Sequence, residues 1–244
     1  MADTANFPKC AAIFGASGGV GSAICAALAE RGVGTIYAGS RGGAGPTGPA
    51  IRPFTFDLTD ETSIVAAAEM MGQDRPDLVI VTSGVLTLSD GTGPERTYRK
   101  LDGAAMQEML LLNTIGPAII AKHMLPLFPR DRRAVFAALS ARVGSIADNR
   151  MGGWHSYRAS KAALNMLLKN FAIELGRTHK QAVVAGLHPG TVDTALSQPF
   201  QGNVPDGKLF TPQRSAESLL AVLDQLEPKD SGSVFDWAGK RVPE

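Results

Sequence analysis

A glycine-rich turn near the start of the chain separates a short apolar run from an alanine-rich helical pattern. The turn reads Gly15-Ala16-Ser17-Gly18-Gly19-Val20-Gly21. The run before it, residues 10–15, predicts a β-strand, and residues 19–31 carry apolar side chains at helical spacing. Glycines let the backbone approach a pyrophosphate, and the free N–H groups of a helix N-terminus attract its charge. We therefore predict a dinucleotide-binding strand-turn-helix unit, in preference to an ordinary tight turn.

The rest of the chain alternates short apolar runs with helical patterns. The predicted strands are residues 10–15, 34–38, 51–56, 77–81, 133–139, 181–187 and 233–235. The predicted helices are residues 19–31, 61–71, 103–127, 156–176 and 211–226, and residues 40–49 form a glycine- and proline-rich loop. Because the strands are too apolar to have a face in water, we predict an α/β protein with helices on both faces of a parallel sheet. The architecture is a single Rossmann-type, doubly wound domain over residues 1–244, with about seven strands.

Composition limits the possible partners. The 244 residues are 44% hydrophobic and 19% charged, and 24 basic residues are interspersed with 23 acidic ones for a net charge of +1. This balance provides no field that would hold a nucleic acid or an anionic membrane. No stretch approaches the roughly 18 apolar residues of a spanning helix, and the N-terminus has no basic region before an apolar run. We expect a cytoplasmic protein with neither nucleic acid nor membrane as partner.

Cysteine and histidine spacing indicates no metal site. Cys10 and Cys25 lack the CxxC pattern, so we expect two reduced thiols packed in the core. The four histidines form neither an HxxxH nor an HExxH pair. We therefore expect no catalytic metal.

A tyrosine and a lysine four residues apart, Tyr157 and Lys161, are the candidate catalytic pair. On a helix this spacing brings both side chains to one face, where an ammonium would favour the phenolate form of the tyrosine. A phenol whose pKa is lowered in this way donates and recovers a proton near neutral pH. The pair therefore predicts proton transfer coupled to redox chemistry on the dinucleotide.

The end of the second predicted strand, Ser40-Arg41, bears on the choice of dinucleotide. A carboxylate there would bind a ribose 2′-hydroxyl, whereas a basic residue would pair with a 2′-phosphate. The sequence favours NADPH, with NAD possible and a solvated loop arginine as the alternative for Arg41. Asp57 and Leu58 after the third strand would meet the adenine, unless Asp57 only caps the next helix. Ser83-Gly84 after the fourth strand would pass under the ribose.

Over essentially its whole length the chain resembles the short-chain dehydrogenase/reductase family. The matching residues are Gly15-x3-Gly19-x-Gly21, Asp57-Leu58, Asn113, Tyr157-x3-Lys161 and Pro189-Gly190-x-Val192-x-Thr194. The sequence around Tyr157 and the ending Asp236-Trp237-Ala238-Gly239-Lys240 are similar to the branch of small carbonyl reductases and C-factor-like proteins. The resemblance implies a Rossmann-type sheet and an NAD(P)-dependent oxidoreductase that is commonly oligomeric.

The resemblance also implies a role for each matching residue. Tyr157 would protonate a carbonyl oxygen, Lys161 would hold the nicotinamide ribose and lower the tyrosine pKa, and Asn113 would order a water that relays protons. Ser17, Gly18, Val20 and the other residues of the glycine turn would bind the pyrophosphate. Pro189, Gly190, Val192 and Thr194 would bring backbone and hydroxyl groups to the nicotinamide amide.

Three positions depart from the family pattern. Val81-Thr82-Ser83-Gly84 replaces an asparagine-rich turn, and Phe14 stands where a threonine often stabilises the glycine turn. The catalytic serine of the family corresponds to Ala141, three residues before Gly144. We expect Ser140 to donate to the oxyanion in its place, although strand alternation argues against it, and Ser145 is the alternative. Losing this donor altogether would lower the rate ~10²- to 10³-fold.

Residues 195–211 contain interleaved prolines, glycines and phenylalanines after the sixth strand, and we interpret them as a substrate lid rather than an ordinary surface loop. The candidate pocket lining is apolar: Val143, Ile146, Trp154, Leu196, Phe200 and Phe210. Helices 103–127 and 156–176 are apolar round much of their circumference, which predicts a homo-oligomer, with burial of long helices within one chain as the alternative. The predicted function is NADPH-dependent reduction of a small aldehyde or ketone. The alternative is a regulatory or signalling nucleotide-binding module, which Ala141 favours.

Overall fold

A parallel sheet of seven strands runs through the centre of the computed structural model, which describes residues 7–205 and 207–244. Asp206, within the predicted lid, lies outside the described residues. The strands of the sheet are β1 (Cys10–Phe14), β2 (Thr35–Ser40), β3 (Ile51–Thr55), β4 (Leu78–Val81), β5 (Ala134–Leu139), β6 (Ala182–His188) and β9 (Ser233–Asp236). Their order is β3-β2-β1-β4-β5-β6-β9, and every pair is parallel. The predicted Rossmann-type sheet of about seven strands is confirmed.

In the part of the chain that the structure describes, six α-helices cover the two faces of the sheet. They are α1 (Gly19–Glu30), α2 (Glu61–Met71), α3 (Gly103–Leu110), α4 (Gly116–Met124), α5 (His155–Leu175) and α6 (Pro212–Gln225). Successive side chains of a strand point to opposite faces, so Ile13 packs into the cluster that α1 and α6 cover, whereas Phe14 packs into the cluster on the other face. Both residues are fully buried. The apolar central strands therefore follow from having protein on both sides, whereas the edge strand β3 carries the exposed Arg52 and Thr55.

The predicted helix over residues 103–127 is present with the predicted bounds, but it is not α-helical throughout. A π-helical segment, Leu111–Ile115, separates α3 from α4, and a 3-10 turn, Leu125–Leu127, ends the stretch. Contrary to expectation, this stretch is long and apolar enough to cross a membrane by length and composition, a test that buried core helices also pass. Here it packs against α5 and α2.

The predicted lid is anchored at both ends. β7 (Thr191–Val192) and β8 (Leu209–Phe210) form a small parallel sheet of their own, and a 3-10 helix, Gln198–Asn203, lies between them. The Ser197 hydroxyl donates to the Val192 carbonyl oxygen at 2.5 Å. The segment is therefore held against the loop that follows β6.

Candidate active site

The carboxyl ends of the strands meet at one edge of the sheet, where β1 and β4 are neighbours although two strands lie between them in sequence. Such a reversal of strand order opens a crevice that binds ligands in α/β proteins. The glycine turn follows β1, Ser83-Gly84 follow β4, and Ser140 follows β5. The predicted site residues therefore converge on this edge.

The glycine turn has no room for a side chain at Gly15 or Gly21. Gly15 has a φ of 104°, and a Cβ there would lie 2.6 Å from the Thr82 hydroxyl oxygen. A Cβ at Gly21 would lie 2.3 Å from the Gly15 carbonyl oxygen. Helix α1 begins at Gly19 after Gly18, with no side chain capping its N–H groups. The turn thus offers close backbone approach and free donors, which fit a pyrophosphate.

Thr82 supplies a hydroxyl to the glycine turn, where Phe14 stands in place of the threonine that often stabilises it. Its Oγ1 lies 3.1 Å from the carbonyl oxygens of both Phe14 and Gly15, and its O–H donates to one or the other. Because β1 and β4 are adjacent, a residue just after β4 reaches the turn after β1. Thr82 is a residue that the motif comparison missed.

The predicted 2′-phosphate site lies at the end of β2. Ser40 is the last residue of β2 rather than part of the loop, and its hydroxyl donates to Ala44 O at 2.6 Å. The loop approaches the glycine turn, since a Cβ at Gly45 would lie 3.8 Å from Ala16 O. Arg41 is exposed here.

Asp57 and Leu58 each make structural contacts. One carboxylate oxygen of Asp57 accepts from Thr59 N and Oγ1 at 2.8 and 2.7 Å. These two bonds, with a smaller contribution from the Arg41 charge, lower the pKa of Asp57 although burial opposes them. Helix α2 is capped by Asp60 instead. Leu58 packs against Gly116 at the start of α4, where a Cβ would lie 2.8 Å from its Cδ2.

Tyr157 and Lys161 occupy successive turns of α5. The Lys161 Nζ lies 5.8 Å from the centroid of the Tyr157 ring and donates to Leu139 O at 2.9 Å. Burial raises the pKa of Tyr157 to about 12 and lowers that of Lys161 to about 8. The expectation that the lysine lowers the tyrosine pKa is therefore wrong for the chain by itself, because burial disfavours both charged forms.

Asn113 is fully buried in the π-helical segment. Its Oδ1 accepts from Val85 N and its Nδ2 donates to Val85 O, both at 2.8 Å. Gly84 lies close to both Asn113 and Lys161, since a Cβ at Gly84 would lie 2.8 Å from Asn113 Oδ1 and 3.6 Å from Lys161 Nζ. The amide thus fixes the chain after β4, and its water-ordering role stays a prediction.

The two candidate serines differ in how they use their hydroxyl protons. The Ser140 hydroxyl donates to Asn165 Oδ1 on α5 at 2.6 Å, so its one proton already takes part in a hydrogen bond. Ser145 instead accepts, from Asp148 N at 3.0 Å. It follows Gly144, where a Cβ would lie 2.8 Å from Lys161 Cβ. Only Ser145 has a donor left for another group, which argues against the preference for Ser140.

The predicted pocket lining divides into two groups. Trp154 packs edge-on against both Tyr157 and Phe200, with ring centroids 6.1 and 5.3 Å apart. Phe210 is buried elsewhere, against Trp237 at 4.7 Å. Trp154 and Phe200 therefore make a wall beside the tyrosine, whereas the assignment of Phe210 to that lining is wrong.

The segment after β6 reaches the glycine turn. A Cβ at Gly19 would lie 2.7 Å from Thr194 Cγ2, so these two predicted cofactor residues are neighbours. Gly190 has a φ of 79°, and the Ser215 hydroxyl of α6 donates to Pro189 O at 3.0 Å. Val192 is buried in β7. Among the described residues no cluster of side chains could hold a metal ion.

The sheet, the glycine turn and the tyrosine–lysine pair together define a Rossmann-type oxidoreductase. The family model for the short chain dehydrogenases matches residues 9–204. The chain therefore belongs to the short-chain dehydrogenase family and is an NAD(P)-dependent dehydrogenase or reductase.

Individual proteins similar to this chain include two bacterial ones. A 1-hydroxy-2-glutathionyl-2-methyl-3-butene dehydrogenase of Rhodococcus sp. (strain AD45) is 32% identical over 224 residues, which are 90% of this chain and 92% of that protein. The C-signal protein of Myxococcus xanthus is 34% identical over 167 residues, 68% of this chain and 92% of its own length. The solved structure of an NADPH-bound carbonyl reductase from chicken fatty liver matches with a TM-score of 0.83 and 25% identity, covering 97% of this chain and 94% of that one.

Proposed function

We propose that this protein is an NADPH-preferring reductase of apolar aldehydes or ketones, with Tyr157 as the proton donor. The observation that carries the proposal is the pair of the half-buried Tyr157 and the buried Lys161 on one face of α5, beside the chain that leaves β4. NADPH, when bound, supplies the hydride. Gly15, Gly19 and Gly21 would hold its pyrophosphate, and the exposed Arg41 its 2′-phosphate.

The pKa of Tyr157 favours the direction of reduction. With a pKa of about 12, the phenol keeps its proton throughout the neutral range. A proton donor must be in this form, and a developing alkoxide is a stronger base than a phenolate, so the transfer is downhill. Alcohol oxidation would instead require the phenolate, which burial disfavours.

The oxyanion donor is assigned to Ser145. Its hydroxyl accepts a hydrogen bond from Asp148 N and retains its own proton, and its neighbour Gly144 packs on Lys161. The Ser140 hydroxyl already donates a hydrogen bond to Asn165 Oδ1. Ala141 therefore does not deprive the site of a hydroxyl donor.

The substrate is apolar near its carbonyl group. Trp154 and Phe200 form the wall beside Tyr157. Three large apolar side chains close in sequence to Ser145, Trp154 and Phe200 are also exposed: Ile146 is 79%, Met151 90% and Leu196 45% exposed. Exposed apolar side chains around a ligand site favour an apolar ligand. The chicken fatty liver protein, named a carbonyl reductase, is consistent with a carbonyl substrate.

NADPH oxidation against a panel of aryl and alkyl aldehydes and ketones tests the proposal. Turnover of apolar members supports it. NADPH binding without turnover of any member would overturn it in favour of the signalling alternative, to which the similarity with a C-signal protein lends support.

A second copy of the chain is proposed to cover the outer face of α5. Met166 and Ile173, seven residues apart and thus on one helical face, are 62% and 53% exposed. Ile115 of the adjoining π-helical segment is 48% exposed. A solution mass near the 25.6 kDa of one chain would refute the homo-oligomer.

A further inference from the structure

The first turn of α5 lacks a cap from its own neighbourhood in sequence. The residue before the helix, Trp154, has a left-handed backbone with a φ of 52°, and its side chain accepts no hydrogen bond from the helix. The first N–H groups of any α-helix have no acceptor within the helix. In the helix that carries Tyr157, the acceptor must therefore come from elsewhere.

Glu95 provides that acceptor from a position 61 residues away in the chain. Its Oε2 accepts from Ser156 N at 3.1 Å, and its Oε1 accepts from the Ser156 hydroxyl. Its backbone carbonyl oxygen also accepts from Trp154 N at 2.5 Å. One residue thus holds both Trp154 and Ser156, which flank His155 at the start of the helix.

The carboxylate of Glu95 is suited to this position. Burial is the largest single influence and disfavours its charge, but the hydrogen bonds from Ser156 and from its own N–H, together with the His155 charge, outweigh burial and lower the pKa of Glu95. An anion at a helix N-terminus is also stabilised by the helix dipole. Glu95 is half-buried, so its bonds are shielded from competing water.

The two residues that Glu95 holds are the immediate supports of Tyr157. Ser156 precedes Tyr157 in the chain, and the Trp154 ring packs on the Tyr157 ring. The other end of the same connection, at Gly84 and Val85, contacts Lys161 and Asn113. The chain between β4 and α3 is therefore fastened to the candidate catalytic residues at both ends.

We infer that Glu95 is a positioning residue that clamps the first turn of α5 and thereby sets the place of the Tyr157 phenol and of the Trp154 wall. This inference rests on the proposed function where it concerns catalysis. The clamp itself is independent of turnover and can be tested separately.

Fluorescence tests the clamp without any reaction. The chain has two tryptophans, so Trp237→Phe leaves Trp154 as the only emitter. In that background Glu95→Ala should shift the Trp154 emission to longer wavelength and increase its quenching by acrylamide. Asp90→Asn is the matched control, because Asp90 lies in the same connection and bonds only to Thr92 within its own turn. Unchanged Trp154 emission in Glu95→Ala overturns the clamp.

Kinetics then tests the link to Tyr157. We expect Glu95→Ala to lower kcat ~10- to 100-fold, since a displacement of about 1 Å at a reacting group has effects of this size. The Kd for NADPH should stay within a factor of about two, because the glycine turn is held by other contacts. Glu95→Gln keeps one acceptor oxygen and should recover part of the loss. Ser156→Ala combined with Glu95→Ala should be no slower than Glu95→Ala alone.

Failure of the proposed function and failure of the positioning role of Glu95 are distinguishable. If the wild type reduces no carbonyl compound but Trp154 responds to Glu95→Ala, the proposed function fails and the clamp stands. If Glu95→Ala, Glu95→Gln and Ser156→Ala all keep wild-type kcat, or lose kcat and NADPH binding in parallel with stability, the positioning role is overturned.

Discussion

The ammonium of Lys161 is directed at the sheet rather than at the tyrosine hydroxyl: Nζ donates to Leu139 O at 2.9 Å and lies 5.8 Å from the centroid of the Tyr157 ring. Leu139 is the last residue of β5, so this bond joins α5 to β5. The lysine thus fixes the height of α5 over the edge of the sheet, and the tyrosine hydroxyl remains free to donate to a substrate.

Replacing that hydroxyl tests the proton donor. Tyr157→Phe should lower kcat for carbonyl reduction ~10²- to 10⁴-fold, because this range is what a positioned acid contributes. The Kd for NADPH should change little, since the ring remains to pack against Trp154. Tyr98→Phe, at a tyrosine that is 65% exposed, is the control. Undiminished turnover in Tyr157→Phe would exclude the tyrosine as the acid.

The different hydrogen bonds of the Ser140 and Ser145 hydroxyls give the second prediction. Ser145→Ala should reduce kcat ~10²- to 10³-fold, the usual cost of one oxyanion donor. Ser140→Ala should reduce it far less, because that hydroxyl already donates to Asn165. Both kcat values are measured with the same apolar ketone at saturating NADPH. The reverse ranking would return the role to Ser140, and two near-wild-type values would mean that no serine performs it.

The third prediction concerns the 2′-phosphate. Arg41→Ala should raise the KM for NADPH and leave the KM for NADH nearly unchanged, because only NADPH carries the phosphate that a guanidinium would pair with. Arg177→Ala controls for the loss of one positive charge, since Arg177 follows the far end of α5 from Tyr157. An unchanged ratio of the two KM values in Arg41→Ala would remove this residue from the cofactor site.

Local sequence patterns were sufficient for most of the fold. The seven strands and the glycine turn follow from apolar runs and glycine spacing, which depend on residues close together in the chain. The tyrosine–lysine pair likewise lies on one helix, so its shared face follows from spacing alone. The π-helical segment within helix 103–127 was not predictable, because it leaves the apolar pattern nearly unchanged.

The remainder of the site depends on contacts between distant segments. Thr82 reaches the turn after β1 only because β1 and β4 are adjacent, and Glu95 caps α5 only because the fold brings the connection after β4 to it. The Ser140 hydroxyl already donates a hydrogen bond because Asn165 faces it from α5. The direction of the Tyr157 pKa was mispredicted because burial, which sequence spacing does not report, raises it.

The aromatic wall gives the fourth prediction. Phe200→Ala should raise the KM for an aryl ketone and leave that for a small alkyl aldehyde nearly unchanged, because only the larger group reaches the wall that Phe200 and Trp154 form. A loss of ~1 to 3 kcal/mol in kcat/KM for the aryl substrate is the scale expected for apolar contacts of this kind. An equal loss for both substrates would indicate that Phe200 supports the fold of the lid rather than substrate choice.

The buried ammonium of Lys161 predicts a specific dependence of stability on pH. Its pKa of about 8 in the folded chain lies below the value of 10.5 in the absence of burial, so between these pH values the unfolded chain binds more protons. The unfolding free energy must therefore rise with pH in this window, by up to about 3 kcal/mol, and be independent of this group below it.

Lys161→Met removes the effect, so the stability of the wild type relative to Lys161→Met should increase from about pH 8 to about pH 10.5. Tyr157 titrates in both proteins and cancels in the difference, and Lys169→Met, on the same helix with a side chain 41% exposed, controls for the loss of one positive charge. Urea unfolding across this range measures it, and a difference that stays constant would mean that Lys161 is hydrated in the folded protein.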